Sequence, residues 1–184
     1  PWNILCRMGK NLFDWISKRI EFYVKKEGEI AMNIERFEKV AFVVVGKKGS
    51  TLDGAEFIQR LWDDANSHFG EVQHLAKRDE KGNLIGIWGA MSDFSESFLP
   101  WEDFRNGLYL AGVECRDDAE APEGWTKWVV PGYEYLCVER EADDTFSQAI
   151  KYLGEHHIPL VGAVHDFTDP QTGKSYMYFP VKRL

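Results

Sequence analysis

The feature that most constrains the fold is a pattern that occurs twice. FIQRLWDDANSHF (57–69) and TFSQAIKYLGEHHI (145–158) are both patterned as helices, and each follows one apolar β run and precedes two more. In the first unit the run 40–45 leads through a loop to a helix with Phe57, Ile58, Leu61, Trp62 and Ala65 on one face, and runs 84–91 and 108–114 follow. Asp53 and Glu56 have the spacing of an N-terminal capping pair. In the second unit a strand over 128–139 is broken by Pro131-Gly132. Asp143 and Asp144 then stand before a helix whose apolar face is Phe146, Ala149, Ile150 and Leu153. Runs 158–164 and 175–181 supply two further strands, joined by the turn residues 169–173.

A strand–helix–strand–strand unit has one apolar face and nothing of its own to cover it, whereas two such units side by side close a core. The repeat therefore predicts an α+β fold of duplicated β-α-β-β units, about 33–115 and 126–184, sharing one antiparallel sheet or barrel-like core. Two like units also leave a cleft along their seam, a favoured place for a ligand. Residues 1–31 read differently: Leu5, Met8, Leu12, Phe13 and Ile16 recur at helical spacing, and 20–26 alternate as a strand. We take 1–31 as an appendage or linker and 32–184 as the domain. The chain opens on Pro1, which leaves room for an upstream segment, a DNA-binding domain among the candidates.

Composition narrows the partners. Seven Trp and 14% aromatic residues in 184 exceed what an ordinary core requires, and rings are the usual lining of a site for flat ligands. A formal charge of −8 argues against direct contact with nucleic acid, which needs a basic surface. No run is long and apolar enough to span a bilayer and no signal peptide is visible, so a membrane location is not expected. Three cysteines, Cys6, Cys115 and Cys137, lack metal or redox spacing and fit a reducing cytoplasm. No cofactor or metal is implied, and a homodimer stays open.

Several residues could line the cleft. Glu114 shares a strand face with Leu110 and Gly112; if that face is the wall, Gly112 leaves room for a ligand ring. Glu114 would then serve as general acid, general base or partner of a cation. The competing reading is a strand-end carboxylate paired with Arg116. Trp88, flanked on its own side by Gly86 and Ala90, makes a flat shelf, and Phe94 and Trp101 from the aromatic loop 93–106 could close over it. Tyr133 and Tyr135 share one face and Glu134 takes the other, so only one of these faces is a wall, and we favour the tyrosines. Tyr109, Trp125 and Trp128 are further candidates. His156 and His157 diverge too far to share a metal, and His165-Asp166 reads as a hydrogen-bonded pair at a strand end. There is no phosphate loop and no nucleophile elbow.

LYLAGVE (108–114), PEGW (122–125) and PGYEYLCVE (131–139), in that order, resemble the GyrI-like small-molecule-binding family, also called the AraC-type effector-binding domain. The resemblance runs from about residue 32 to the C-terminus. It implies a duplicated β-α-β-β fold with a ligand cleft between the halves. It also implies a binder of hydrophobic, often cationic or multidrug-type, aromatic molecules, as the effector module of a transcription regulator or as a stand-alone protein. One subfamily instead hydrolyses the strained cyclopropane of DNA-alkylating natural products through an aromatic cage, which would make Glu114 catalytic. A namesake acts by binding a topoisomerase. Cation-binding members carry a Glu-x-Tyr-x-Pro pattern where this chain has Tyr176-Met177-Tyr178-Phe179-Pro180. Tyr176 stands in the place of the glutamate, so the resemblance puts Tyr176 and Tyr178 in a cage of rings.

Overall fold

The computed structural model describes residues 33–184; the helix and strand read in 1–31, and Cys6, lie outside the described residues. The elements in chain order are β1 Ile34–Lys39, β2 Phe42–Ser50, α1 Phe57–Ser67, β3 Ile87–Ser92, β4 Leu108–Cys115, β5 Thr126–Val130, β6 Tyr133–Glu139, α2 Thr145–Glu155, β7 His165–Thr168 and β8 Ser175–Arg183. The strands form one antiparallel sheet in the order β1-β6-β8-β7-β3-β4-β2-β5. The two expected units form as β2-α1-β3-β4 and β6-α2-β7-β8, except that the run 158–164 is irregular and the strand begins only at His165, and they lie side by side and meet where Trp88 of β3 faces Phe167 of β7. Among the described residues no helix is long and apolar enough to cross a membrane.

The edge strands depart from the reading of the sequence. The run 128–139 is not one interrupted strand. Its first part is β5, at one end of the sheet beside β2, and its second part is β6, next to the opposite end. IERFEK, too charged to look like a strand, is β1, and it caps the second unit by pairing with β6. Each unit thus carries the other's extra strand at its edge.

Only Val40-Ala41 separates β1 from β2, and only Pro131-Gly132 separates β5 from β6. Two intervening residues span at most about 11 Å, yet each link joins opposite ends of an eight-stranded order. The sheet must therefore curl until its two ends converge. The two links touch: a side chain on Gly132 would meet the backbone of Ala41 at 3.1 Å. Proline and glycine suit this crossing because neither is asked to continue a ladder there.

The curled sheet has a helix face and a ring face, and strand alternation sorts residues between them. On the helix face Phe57, Ile58, Trp62 and Ala65 of α1 pack with Val43, Val45, Ile87, Tyr109, Ala111 and Val113. Ala149 and Leu153 of α2 pack with Leu136, Val138, Met177 and Phe179. The capping signal before α1 sits earlier than its spacing suggested. Ser50 and Asp53 form the reciprocal box on a 3₁₀ turn over Thr51–Asp53, while Glu56, in left-handed backbone at φ 63°, starts the helix without a side-chain cap. Asp144 starts α2 and accepts from Gln148 instead of capping the backbone.

Curling brings β2 and β4 unusually close at the facing pair Gly46 and Gly112. A Cβ on residue 112 would lie 2.3 Å from the Val45 carbonyl oxygen and 2.8 Å from the Gly46 Cα. Gly112 therefore makes room for the neighbouring backbone, and the expectation that it makes room for a ligand ring is corrected. Gly112→Val is expected to cost about 3 kcal/mol or more, since backbone cannot yield as a side chain can. Urea unfolding reads this directly, and a loss under about 1 kcal/mol would refute the packing argument.

Candidate functional site

The ring face is where chemistry gathers. Its buried members are Phe42, Val44, Trp88, Ala90, Phe98, Leu110, Trp128, Val130, Tyr133, Tyr135, Cys137 and Tyr178, with Phe37, Phe167 and Tyr176 packed against them. Every strand of the sheet contributes, because each presents alternate residues to the hollow side of the curl. Trp88 lies at the centre, 4.6 Å from the Phe42 ring, 4.8 Å from Phe167 and 5.2 Å from Tyr178 between centroids. Phe37 stacks on Tyr135 at 5.9 Å and meets Tyr178 edge-on at 5.1 Å. Tilted and edge-to-face pairs of this kind are the geometries that aromatic quadrupoles prefer.

One carboxylate is set into this wall. Glu114 is 3% exposed. It accepts the indole N–H of Trp88 at Oε2, 3.2 Å, and the Lys39 ammonium lies 3.1 Å from each of its oxygens. Its neighbour Arg116 pairs with Asp118, so the alternative of a Glu114–Arg116 pair is not what forms. The Lys39 Nζ also sits 4.5 Å from the Phe42 ring centre and 5.6 Å from that of Trp88, in cation–π range.

Beyond Phe37 and Tyr178 the hollow opens as a groove of about 390 Å³, lined by Glu35, Phe37, Cys137, Phe167, Tyr176 and Tyr178 among others. The carboxylates of Glu139 and Asp169 stand at its rim, and Lys174 bonds to Glu139 at 2.9 Å. The hydroxyls of Tyr133 and Tyr135 are buried, and no described protein group pairs with either. Burial holds both phenols above their ordinary range, so they stay neutral, and neither residue lines the groove itself. Burial likewise pushes the thiol of Cys137 up to about 12, and that of Cys115 to about 11, which keeps both protonated and poorly nucleophilic.

The expected site residues divide. Trp88, Glu114, Tyr133, Tyr135, Tyr176 and Tyr178 all lie on the ring face. Glu134 points the other way and pairs with Arg36 at 2.8 Å. Tyr109 does not join them: it lies on the helix face, accepts from the Trp62 indole at 3.2 Å and donates to Asp166 at 3.4 Å. Trp101 packs on that same face, as does Trp125, whose indole donates to Glu71. Phe94 is 49% exposed and is not among the rings packed on this face. The ring the loop does insert is Phe98, held in left-handed backbone at φ 60° and 5.5 Å from Trp128. Such backbone is costly for a bulky residue and persists only where the surroundings enforce it. Here Asp93 accepts the backbone N–H groups of Ser95, Ser97 and Leu99, which folds the loop tightly.

His165 and Asp166 are not a hydrogen-bonded pair, since adjacent strand residues point to opposite faces. His165 accepts the Met91 backbone N–H, while Asp166 takes the Tyr109 hydroxyl. Lys39, Phe37, Phe42 and Phe167 were missed, and of the rings of loop 93–106 it is Phe98 that joins the wall. The alternation of Glu35, Phe37 and Lys39 was the available signal for β1, masked by the charges between them.

No family model and no curated protein sequence matches this chain. Solved structures do. An integron cassette protein from the mobile metagenome of Vibrio cholerae is similar at 14% identity and TM-score 0.53, over 81% of this chain and 95% of that one. The C-terminal domain of EcmrR matches at 8% identity and TM-score 0.56, over 84% and 100%. SAV2435, solved bound to tetraphenylphosphonium, matches at 16% identity and TM-score 0.56, over 82% and 94%. At such identities the likeness is one of fold.

Proposed function

We propose that this chain, which has the fold of the GyrI-like effector-binding domains, is a small-molecule-binding module that takes hydrophobic aromatic ligands on its ring face. The observation that carries the reading is the wall itself: rings from all parts of a curled sheet surround one buried carboxylate and two unpaired phenol hydroxyls. Polar groups without protein partners cost stability when buried, and this wall carries two beside its carboxylate. A ligand bearing a flat apolar body and a hydrogen-bond acceptor satisfies both requirements. That SAV2435 carries an aromatic cation on the same fold supports a site of this class. Coupling to transcription would need a DNA-binding partner domain, and this chain's part would be recognition of the effector. Folding in a cytoplasmic setting as residues 32–184 belongs to the same reading.

The test is a titration of intrinsic Trp fluorescence with triphenylphosphine oxide, tetraphenylphosphonium and a cyclopropane-bearing alkylator, each mixture followed by mass spectrometry. Trp88 and Trp128 lie in the wall, so saturable quenching with ligand recovered intact is the expected result. Flat fluorescence with every compound would overturn the reading. A water-added product formed over many turnovers would replace it with a hydrolase that works through Glu114.

A further inference from the structure

The charge site of the ring wall is already filled by the chain itself. Glu114 is buried among the rings of the wall, and the ammonium held against it is not a ligand's but that of Lys39, at 3.1 Å and over the faces of Phe42 and Trp88. These are the contacts a bound organic cation would make: a carboxylate for its charge and rings for its faces. Lys39 reaches them from the last position of an edge strand, and a two-residue link with Val40 75% exposed follows it. Its own side chain remains 24% exposed. The carboxylate is locked in by its neighbours, whereas the ammonium hangs on a flexible stem at the sheet's edge.

We propose that Lys39 is a built-in cation that occupies the charge site of the cleft, so that the cleft selects neutral aromatic ligands and admits an organic cation only by displacing Lys39. The inference rests on the ligand-binding reading above and adds to it the class of ligand. A tethered group competes at an effective concentration of about millimolar or higher, so a free cation at micromolar concentration starts at a disadvantage. A neutral ring ligand does not compete for that charge. It can stack on the wall with the Lys39–Glu114 pair intact, and the pair spares the protein an uncompensated buried carboxylate. The rim, with Glu35, Asp169 and a Glu139 already paired with Lys174, is still acidic on balance and draws cations towards the groove. Selection against them is therefore exercised at the Lys39–Glu114 pair, which does not itself line that groove.

The experiment compares tetraphenylphosphonium with triphenylphosphine oxide, a neutral probe of similar bulk, on the wild-type protein, Lys39→Met and the charge-balanced double variant Lys39→Met with Glu114→Gln. The readout is the ratio of the two affinities. The ratio is expected to shift towards the cation by roughly 10- to 100-fold in Lys39→Met and to fall back in the double variant. An unchanged ratio in folded Lys39→Met overturns the proposal and makes the pair purely structural. Should Lys39→Met fail to fold, acetylation of the wild-type protein by an amine-reactive ester decides the matter. Lys39 is expected to react more slowly than Lys151, whose side chain is 75% exposed, and to be accelerated by the phosphonium but not by the oxide. Saturation by the phosphonium with Lys39 still protected overturns it. If no probe binds any variant, the ligand-binding reading falls and this inference with it, whereas tight phosphonium binding by the wild-type protein with no displacement of Lys39 removes this inference alone.

Discussion

Trp88→Ala is expected to lower stability by about 3–5 kcal/mol, which for a domain of this size lowers the melting temperature by on the order of 10 °C. The indole is 1% exposed and is the one ring in contact with Phe42, Phe167, Tyr178 and the Glu114 carboxylate together. Removing it leaves a cavity at the seam of the two units and strips Glu114 of its neutral donor. Trp88→Phe keeps most of the volume and loses the N–H, so a loss nearer 1–2 kcal/mol is expected. If the ring face is the ligand wall, probe affinity should fall at least about tenfold in Trp88→Ala, beyond what unfolding explains at a temperature where the variant remains folded. Thermal unfolding and probe titration on the same samples separate the two effects. A folded Trp88→Ala protein that binds as the wild-type chain does would show that the wall lies elsewhere.

The second large effect is one of pH, and it involves two neighbours with opposite signs. Burial lifts the Asp166 carboxyl from 3.8 to about 6, against the opposing influence of Arg140 and the Tyr109 hydroxyl. Burial also drops His165 from 6.5 to about 3. For Asp166 the folded state holds the proton more tightly than the unfolded chain. Its contribution to stability is complete below about pH 4 and is lost as pH rises to about 6. For His165 the unfolded chain binds the proton more tightly, so stability is lost as pH falls from about 6.5 towards 3. The two slopes nearly cancel in the wild-type protein. Asp166→Asn removes one of them. Relative to the wild-type chain it should gain about 2–3 kcal/mol between pH 4 and 6.5, at 1.36 kcal/mol per unit. His165→Gln should change in the opposite sense. Urea unfolding from pH 3.5 to 7.5 measures both, and parallel curves for wild type and Asp166→Asn would mean that the carboxyl is not as deeply desolvated as its position implies.

Much of this architecture could be read before any coordinates. The apolar faces of α1 and α2, the runs that became β2, β3, β4 and β8, and the two-fold repetition of the unit all follow from periodicity. Period alone also put Tyr133 and Tyr135 together and Glu134 apart from them, and grouped Glu114 with Gly112 and Leu110. What period cannot do is say which of two faces looks inward. Tyr109 is as aromatic as Trp88, yet it lies on the helix face because the parity of its position in β4 puts it there. Loop 93–106 has no period at all, and its insertion of Phe98 instead of Phe94 depends on turn geometry set by Asp93.

The sequence by itself determined the units, their number and the chemical character of each strand face, because these are local and repeat every two or every three to four residues. The tertiary structure alone decided how the units close. Val40-Ala41, which reads as the start of a strand, and Pro131-Gly132, which reads as a break within one, become bridges between opposite ends of the sheet only when the sheet curls. That curl brings Lys39 against Glu114 across 75 positions of sequence. No local rule relates a lysine at the end of a charged, unpromising segment to a carboxylate so far along the chain. They meet because a buried charge must be compensated, and in this fold the nearest ammonium is the one that the crossing strand delivers.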